Sequence, residues 1–303
     1  MIPVSRQWSF LLLPALLLSF YAPIFPQDMG KVQSQTLKIA DGIYMLRGEG
    51  GNIGVCAGAD GILLIDCDLP ELHEKIAAAL AAINPGPVRF LLNTNWHFDH
   101  AKGNELFAKA GATIIAHENA RQRMTVEQTH DDFGYRIPPY PAAALPVITV
   151  ADSMTLYFNV EEIDVLHIPG AHSDADLLFH FRKANVTHAG DLVFSGIYPY
   201  IDVDHGGSVD GTIAAAEKIL RMMDTNTVLI PGHGRRVMKK ADVSRYRDML
   251  VEVRGRVSAL ISQGKNEQEV VAQRPTADID KDWDGPGSAE LFVRIVYRSL
   301  TRK

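Results

Sequence analysis

The chain has 303 residues, 47% of them hydrophobic and 22% charged, an ordinary globular composition with ample length to bury a core. Its formal net charge of −6 leaves no basic excess to neutralise phosphates, which argues against a nucleic-acid partner. No run of like charge reads as an interaction tail.

Arg6 precedes an apolar stretch over 10–25, broken by Ser19, Pro14 and Pro23. A positive end followed by such a stretch reads as a secretory signal over 1–28, with residues 29–303 as a single catalytic domain. An uncleaved membrane anchor is the rival reading, although the stretch is short for a full span. Membrane contact is expected through this segment alone, and the expected location is exported, in the periplasm.

Short β-rich segments follow, at 42–46 and then as a hairpin over 53–65 that turns near Ala59-Asp60. A two-residue turn would set Gly58 opposite Gly61 and Cys56 opposite Leu63, leaving Cys67 far down the ladder. An oxidising compartment would permit a Cys56–Cys67 bond, but that register disfavours it, so two buried free thiols are expected. Residues 71–83 read as a helix with Leu72, Ile76, Leu80 and Ile83 on one stripe, ended by Pro85-Gly86-Pro87.

A buried strand at 88–92 runs into Asn93-Thr94-Asn95. Beyond it the pattern predicts a helix near 102–110, a strand at 113–116 and a helix near 118–128. Residues 130–146, with four prolines, Phe133, Tyr135 and Tyr140, read as a long irregular loop, either a substrate lid or a plain surface cover. Strands are expected near 147–151, 154–158, 163–168, 177–182, 186–190 and 227–230, and helices near 209–223, 241–262 and 288–300. Strand-rich segments interleaved with helices in both halves, without repeats, predict an α/β, four-layer αββα sandwich of two mixed sheets.

The chemistry concentrates at strand ends. Asn95-Trp96-His97-Phe98-Asp99-His100 follows the strand at 88–92, with two imidazoles and a carboxylate within four residues on a turn. His172 follows the strand at 163–168, Asp191 the strand at 186–190, and His233 the strand at 227–230. Imidazole and carboxylate are ligand types suited to zinc, and strand ends with tight turns can project them into one cleft. Trp96 and Phe98 are expected to pack beneath the site. His73 reads as exposed on its helix, and His117, His167, His180 and His188 as packing or supporting groups. His130 is left open. His205, before Gly206-Gly207-Ser208 with Ser208 a good N-cap, stands in a loop that can approach the cleft. His205, Tyr135 and Tyr140 are therefore the weaker substrate-binding candidates. The helices after residue 240 read as scaffold or dimer surface.

Asn-x-His-x-Asp-His followed by His, Asp and His at these strand ends resembles the His-x-His-x-Asp-His…His…Asp…His pattern of the metallo-β-lactamase superfamily, over residues 37–235. The resemblance implies the metallo-β-lactamase fold. It also implies Asn95, His97 and His172 around one zinc and Asp99, His100 and His233 around another, with Asp191 bridging. The first histidine of the pattern is Asn95 here, a weaker donor, so one tightly held zinc and a looser second position are expected. One β-lactamase subclass also carries Asn at this place, but it uses cysteine where Asp191 stands. Asp191 resembles the glyoxalase II and lactonase branches instead.

Zinc lowers the pKa of bound water from 15.7 to roughly 7, and Asp99 is placed to orient that nucleophile or shuttle its proton. The expected activity is zinc-dependent hydrolysis of a small molecule, with opening of a β-lactam as the leading candidate. Thioester or lactone hydrolysis is the alternative, and a non-catalytic metal-binding protein is the third reading.

Overall fold

The apolar runs of the front half become strands buried on both faces. The computed structural model describes residues 29–32, 34–130, 132–283 and 289–302. The expected signal or anchor over 1–28 lies outside the described residues. The first sheet contains β1 (Gln35–Ala40), β2 (Ile43–Arg47), β3 (Ile53–Gly58), β4 (Gly61–Ile65), β5 (Val88–Leu92) and β6 (Thr113–His117). After a detached hairpin of β7 (Gln128–His130) and β8 (Tyr135–Ile137), β9 (Ile148–Val150) completes it at the β6 edge. The pairing is antiparallel from β1 to β4 and parallel from β4 through β5 and β6 to β9.

The second sheet takes β10 (Ser153–Phe158), β11 (Glu161–His167), β12 (Leu177–Phe181) and β13 (Val186–His188). Beyond the short β14 (Phe194–Ser195), β15 (Val228–Ile230) lies parallel to β13, and β14 pairs with β16 (His233–Gly234). The helices are α1 (His73–Ile83), α2 (Phe98–Ala101), α3 (Asn104–Lys109), α4 (Glu118–Met124), α5 (Val209–Met222), α6 (Lys240–Ser262), α7 (Glu267–Ala272) and α8 (Ala289–Thr301).

Period-two alternation divides each central strand between two layers. Along β4, Leu63 and Ile65 face the second sheet and meet Phe179 and Ile163. Ile62 and Leu64 point the other way, onto Leu72, Ile76 and Leu80. On the outer face of the second sheet, α5, α6 and α8 pack around Ile219, Tyr246 and Phe292. Helix, sheet, sheet and helix therefore stack in the expected αββα order.

The hairpin register is as expected, with Cys56 opposite Leu63 and Gly58 opposite Gly61. Both cysteines are free and buried. Burial pushes the Cys56 thiol up to about 12 and Cys67 well above its usual value.

Several local expectations are corrected. The helix expected over 118–128 ends at Met124, because the Gln128 side chain donates to the Arg123 carbonyl at 2.8 Å and turns the chain into β7. The segment over 130–146 is not irregular throughout. His130 pairs with Tyr135 and Gln128 with Ile137 in a short hairpin that turns at Gly134, where φ is +66°. Ile137, Tyr140 and Ala144 then bury themselves against Trp96 and Met124, which makes the segment a packed part of the wall. The helix expected over 102–110 begins after a break at Lys102-Gly103 and runs over Asn104–Lys109. His73 is half-buried, with its ring edge-on to Phe107 at 4.7 Å, rather than exposed.

Candidate metal centre

The C-terminal ends of β4, β5, β13 and β15 and the loop after β11 open at one edge of the sandwich, where parallel strands collect their ligand-bearing turns. Two glycines let the turns close on one another. A Cβ on Gly232 would lie 2.2 Å from Asp191 Oδ1, and one on Gly51 would lie 2.4 Å from the His100 ring.

Two clusters form from the residues expected as ligands, and a third set, His97, His130 and Asp202, shares His97 with the first. In the first, ligand atoms of His97, His172 and Asp191 lie within 4.8 Å of one another, and in the second those of Asp99, His100 and His233 do. Asp191 stands between them. Its Oδ2 is 3.1 Å from His100 Nε2 and 3.5 Å from His172 Nε2, and its Oδ1 is 3.4 Å from His233 Nε2. Asp99 Oδ2 lies 3.2 Å from His233 Nε2.

Behind each of three imidazoles stands a carboxylate that the sequence reading missed. His100 Nδ1 meets Asp66 Oδ2 at 2.8 Å, His172 Nδ1 meets Asp176 Oδ1 at 3.0 Å, and His97 Nε2 meets Asp202 Oδ2 at 2.9 Å. Such partners fix the tautomer and aim the opposite ring nitrogen. Asp66 also accepts from the Thr94 N–H and hydroxyl, at 2.7 and 2.8 Å, and these bonds hold it at φ +66° despite the left-handed strain. The available signals were the His172-x-x-x-Asp176 spacing and an aspartate directly after the buried β4.

The charge balance follows from proximity. Burial alone would lower His100 and His172, but the carboxylates around them outweigh it. Asp191, Asp99 and Asp66 hold His100 well above its usual range, and Asp176 and Asp191 raise His172 to about 9. Burial would raise Asp191, but His100, His233 and His172 keep it well below the usual carboxylate range.

The remaining candidates divide. Asn95 is buried, its Oδ1 accepts from the His97 backbone N–H at 2.8 Å, and its Nδ2 donates to Asp191 Oδ2 at 3.2 Å. The carboxamide nitrogen thus steadies Asp191, and the backbone donor fixes which end is the oxygen that was expected to face the metal. His205 does not line the cleft either. Its Nδ1 donates to Asp202 at 2.8 Å, behind His97, so it acts on the site through that carboxylate. Ser208 caps α5 as expected, accepting from Gly211 N–H at 3.0 Å. Tyr140 is buried and donates to the Trp96 carbonyl at 3.1 Å, which makes it a prop rather than a substrate contact. Tyr135 lies on β8, and its side chain falls outside the described residues. Trp96 packs beneath the site as expected, but Phe98 lines the cavity. His130, left open by the sequence, lines the cavity with its ring 5.0 Å from that of His97.

Replacing Asp202 with asparagine is expected to weaken metal binding and activity 10- to 100-fold, because the charged acceptor shared by His97 and His205 becomes a neutral amide with one acceptor oxygen. Metal titration of the variant checks this, and an unchanged affinity would leave Asp202 with a packing role only.

The donor set fits metal ions. His172 Nε2 and Asp191 Oδ1 are buried, face the centre of the clusters and make no hydrogen bond. Buried imidazole nitrogen and carboxylate oxygen in that state are what a divalent cation would satisfy.

Comparison with known proteins agrees with this geometry. A stretch of 109 residues is 28% identical to a hydroxyacylglutathione hydrolase of Pelagibacter ubique, covering 36% of this chain and 37% of that protein. Among solved structures, the stereoselective inverting sec-alkylsulfatase Pisa1 from Pseudomonas sp. matches with a TM-score of 0.67 at 16% identity, over 88% of this chain and 50% of that one. A metallo-beta-lactamase from Pontibacter korlensis matches with a TM-score of 0.59 at 16% identity, over 72% of this chain and 99% of that one. The chain thus spans about half the length of the sulfatase and little over a third of the length of the hydrolase. The family model of the metallo-beta-lactamase superfamily matches residues 46–233, from the end of β2 to the last of the clustered histidines. With that match added to the αββα layers and the paired His/Asp clusters, the chain belongs to the metallo-beta-lactamase superfamily, whose members are largely hydrolases.

Proposed function

We propose that the chain is a zinc-dependent hydrolase that cleaves an ester, lactone or thioester of a small molecule at two neighbouring metal positions. The observation that carries this is Asp191, set between two His/Asp clusters with Oδ1 buried and without a hydrogen bond. Zinc held there would supply a nucleophilic water at neutral pH and polarise the substrate carbonyl.

The chain's own residues do the remaining work. Burial would raise Asp99, but His100 and His233 keep it ionised far below the usual carboxylate range, so at the cavity floor it stands as a fixed charge that can accept a hydrogen bond from a nucleophilic water and orient it. Asp66, Asp176 and Asp202 hold three imidazoles in fixed orientation. Phe98, Phe133 and Phe194 keep bulk water from the reacting carbonyl. The partial relative named for hydrolysing hydroxyacylglutathione, a thioester, supports the acyl reading.

Opening of a β-lactam is the second reading. It is favoured by Arg6 and the apolar stretch over 10–25, which would export the chain to the compartment where such drugs act. No helix among the described residues is long and apolar enough to cross a membrane.

Purified zinc-loaded protein is to be assayed on a lactone, an aryl ester, a glutathione thioester, a penicillin and a carbapenem. Turnover of an acyl substrate is expected to fall at least about 100-fold with dipicolinate and to return with zinc. Turnover that survives chelation would end the metal-dependent reading. Cleavage of the β-lactams alone would put the second reading first.

A further inference from the structure

Resting on the hydrolase reading above, we infer that the substrate carries a neutral apolar chain on its acyl side, and that α8 builds the wall that selects it. Water then adds across the acyl C–O bond, giving a carboxylic acid and an alcohol, with the chain seated beside the metal clusters.

The cavity over the clusters has a volume of about 240 Å³. That is room for an alkyl chain beside the clusters. His97, Asp99, Asp191 and His233 form its polar edge. Facing them are Phe133, Phe194, Ile197, Leu291, Phe292 and Ile295. The charged residues among the described lining are Glu49, Asp99 and Asp191, and none is lysine or arginine. A β-lactam drug or a glutathione thioester brings carboxylates for which this lining offers no lysine or arginine, whereas a neutral chain loses only its contact with water.

The wall is rigid. Phe292 stacks on Tyr198 with centroids 4.9 Å apart and planes at 18°, and Tyr198 donates to Asp280 Oδ1 at 3.0 Å. The basic end of α8 is occupied elsewhere: Arg298 pairs with Glu267 and Asp132, and Arg302 with Asp204. Leu291, Phe292 and Ile295 lie on α8, beyond the segment that matches the family model. The scaffold role expected for the helices after residue 240 is corrected here for α8.

The test has two readouts on the zinc-loaded full chain. The first is kcat/KM for p-nitrophenyl esters from acetate to decanoate, with an octanoate analogue bearing a terminal carboxylate. The second is displacement of the neutral dye Nile red by 1-alkanols of increasing length, which needs no turnover. Both are expected to rise roughly fourfold per methylene until the cavity is filled, the factor that burial of one CH2 supplies. The terminal carboxylate is expected to cost at least about tenfold. Leu291→Asn and Ile295→Thr are each expected to cut the gain from acetate to octanoate at least about tenfold. Should one variant fail to fold, the other and the alkanol series on the unaltered chain decide. Ester turnover with no dependence on length in either readout overturns this inference and leaves the hydrolase reading standing. Length-dependent displacement without turnover of any ester, lactone or thioester keeps the apolar site and removes the hydrolase reading. Full length dependence in both variants removes α8 as the selecting wall.

Discussion

Changing Asp191 to asparagine is expected to lower kcat/KM by at least about a thousandfold and to reduce the zinc retained after dialysis to less than one per chain. The reason is position. Asp191 Oδ2 faces His100 Nε2 and His172 Nε2, and Oδ1 faces His233 Nε2, so one residue serves both clusters. A carboxamide has nearly the same volume and still accepts from Asn95 through its oxygen, but it removes the negative charge that offsets two cations. A thousandfold loss corresponds to about 4 kcal/mol of transition-state stabilisation, within the several kcal/mol that a metal's charge contributes. Metal analysis beside steady-state kinetics makes the measurement. Full zinc content with turnover near that of the unaltered chain would show that the two clusters do not share this carboxylate.

The same geometry explains what could be read from the sequence and what could not. His97, Asp99, His100, His172, Asp191 and His233 were legible because each sits one turn past an apolar run, and runs of that length are strands. The layer order followed from strands that alternate between two buried faces, as Leu63 and Leu64 do.

The bond by which Asn95 steadies Asp191 was not legible, because it depends on a contact 96 residues away and on a backbone donor two residues ahead. Asp202 was invisible for a similar reason, and Asp66 was marked only by its place directly after a buried strand. A lone aspartate carries no pattern until the histidine it supports is placed beside it. The segment over 130–146 misled through composition. Pro138, Pro139 and Pro141 mark chain breaks, yet Ile137 just before them and Tyr140 among them are core residues. The cavity wall on α8 was hidden because its apolar residues obey the same helical period whether they face the core or a substrate.

Stripped of metal, the protein is expected to be most stable near pH 6.5 and to lose stability on either side. On the acid side, burial lowers His188 to about 4 and His130 to about 3, so both are neutral in the fold. Below the unfolded value of 6.5 the unfolded chain takes up protons that the folded chain refuses, and stability therefore falls as pH falls. His188 alone contributes about 3 kcal/mol between pH 6.5 and 4, because burial outweighs the Asn52 carbonyl that accepts from its Nε2, while its Nδ1 is held unprotonated as the acceptor of the Gly190 N–H. On the alkaline side the sign reverses. Burial opposes the proton on His172, but Asp176 and Asp191 outweigh it and raise this group to about 9. The stability of such a group is fully present below pH 6.5 and is lost as pH rises towards 9. His100 and His233 are raised in the same sense. Zinc competes with these protons, so the loaded protein is expected to keep its stability across the alkaline limb, while the acid limb set by His188 remains. Thermal melts from pH 4 to 9.5, with and without zinc, separate the two limbs. Stability of the stripped protein that climbed steadily from pH 6.5 to 9 would show that carboxylates do not hold protons on these imidazoles, and the charge balance drawn for the clusters would have to be abandoned.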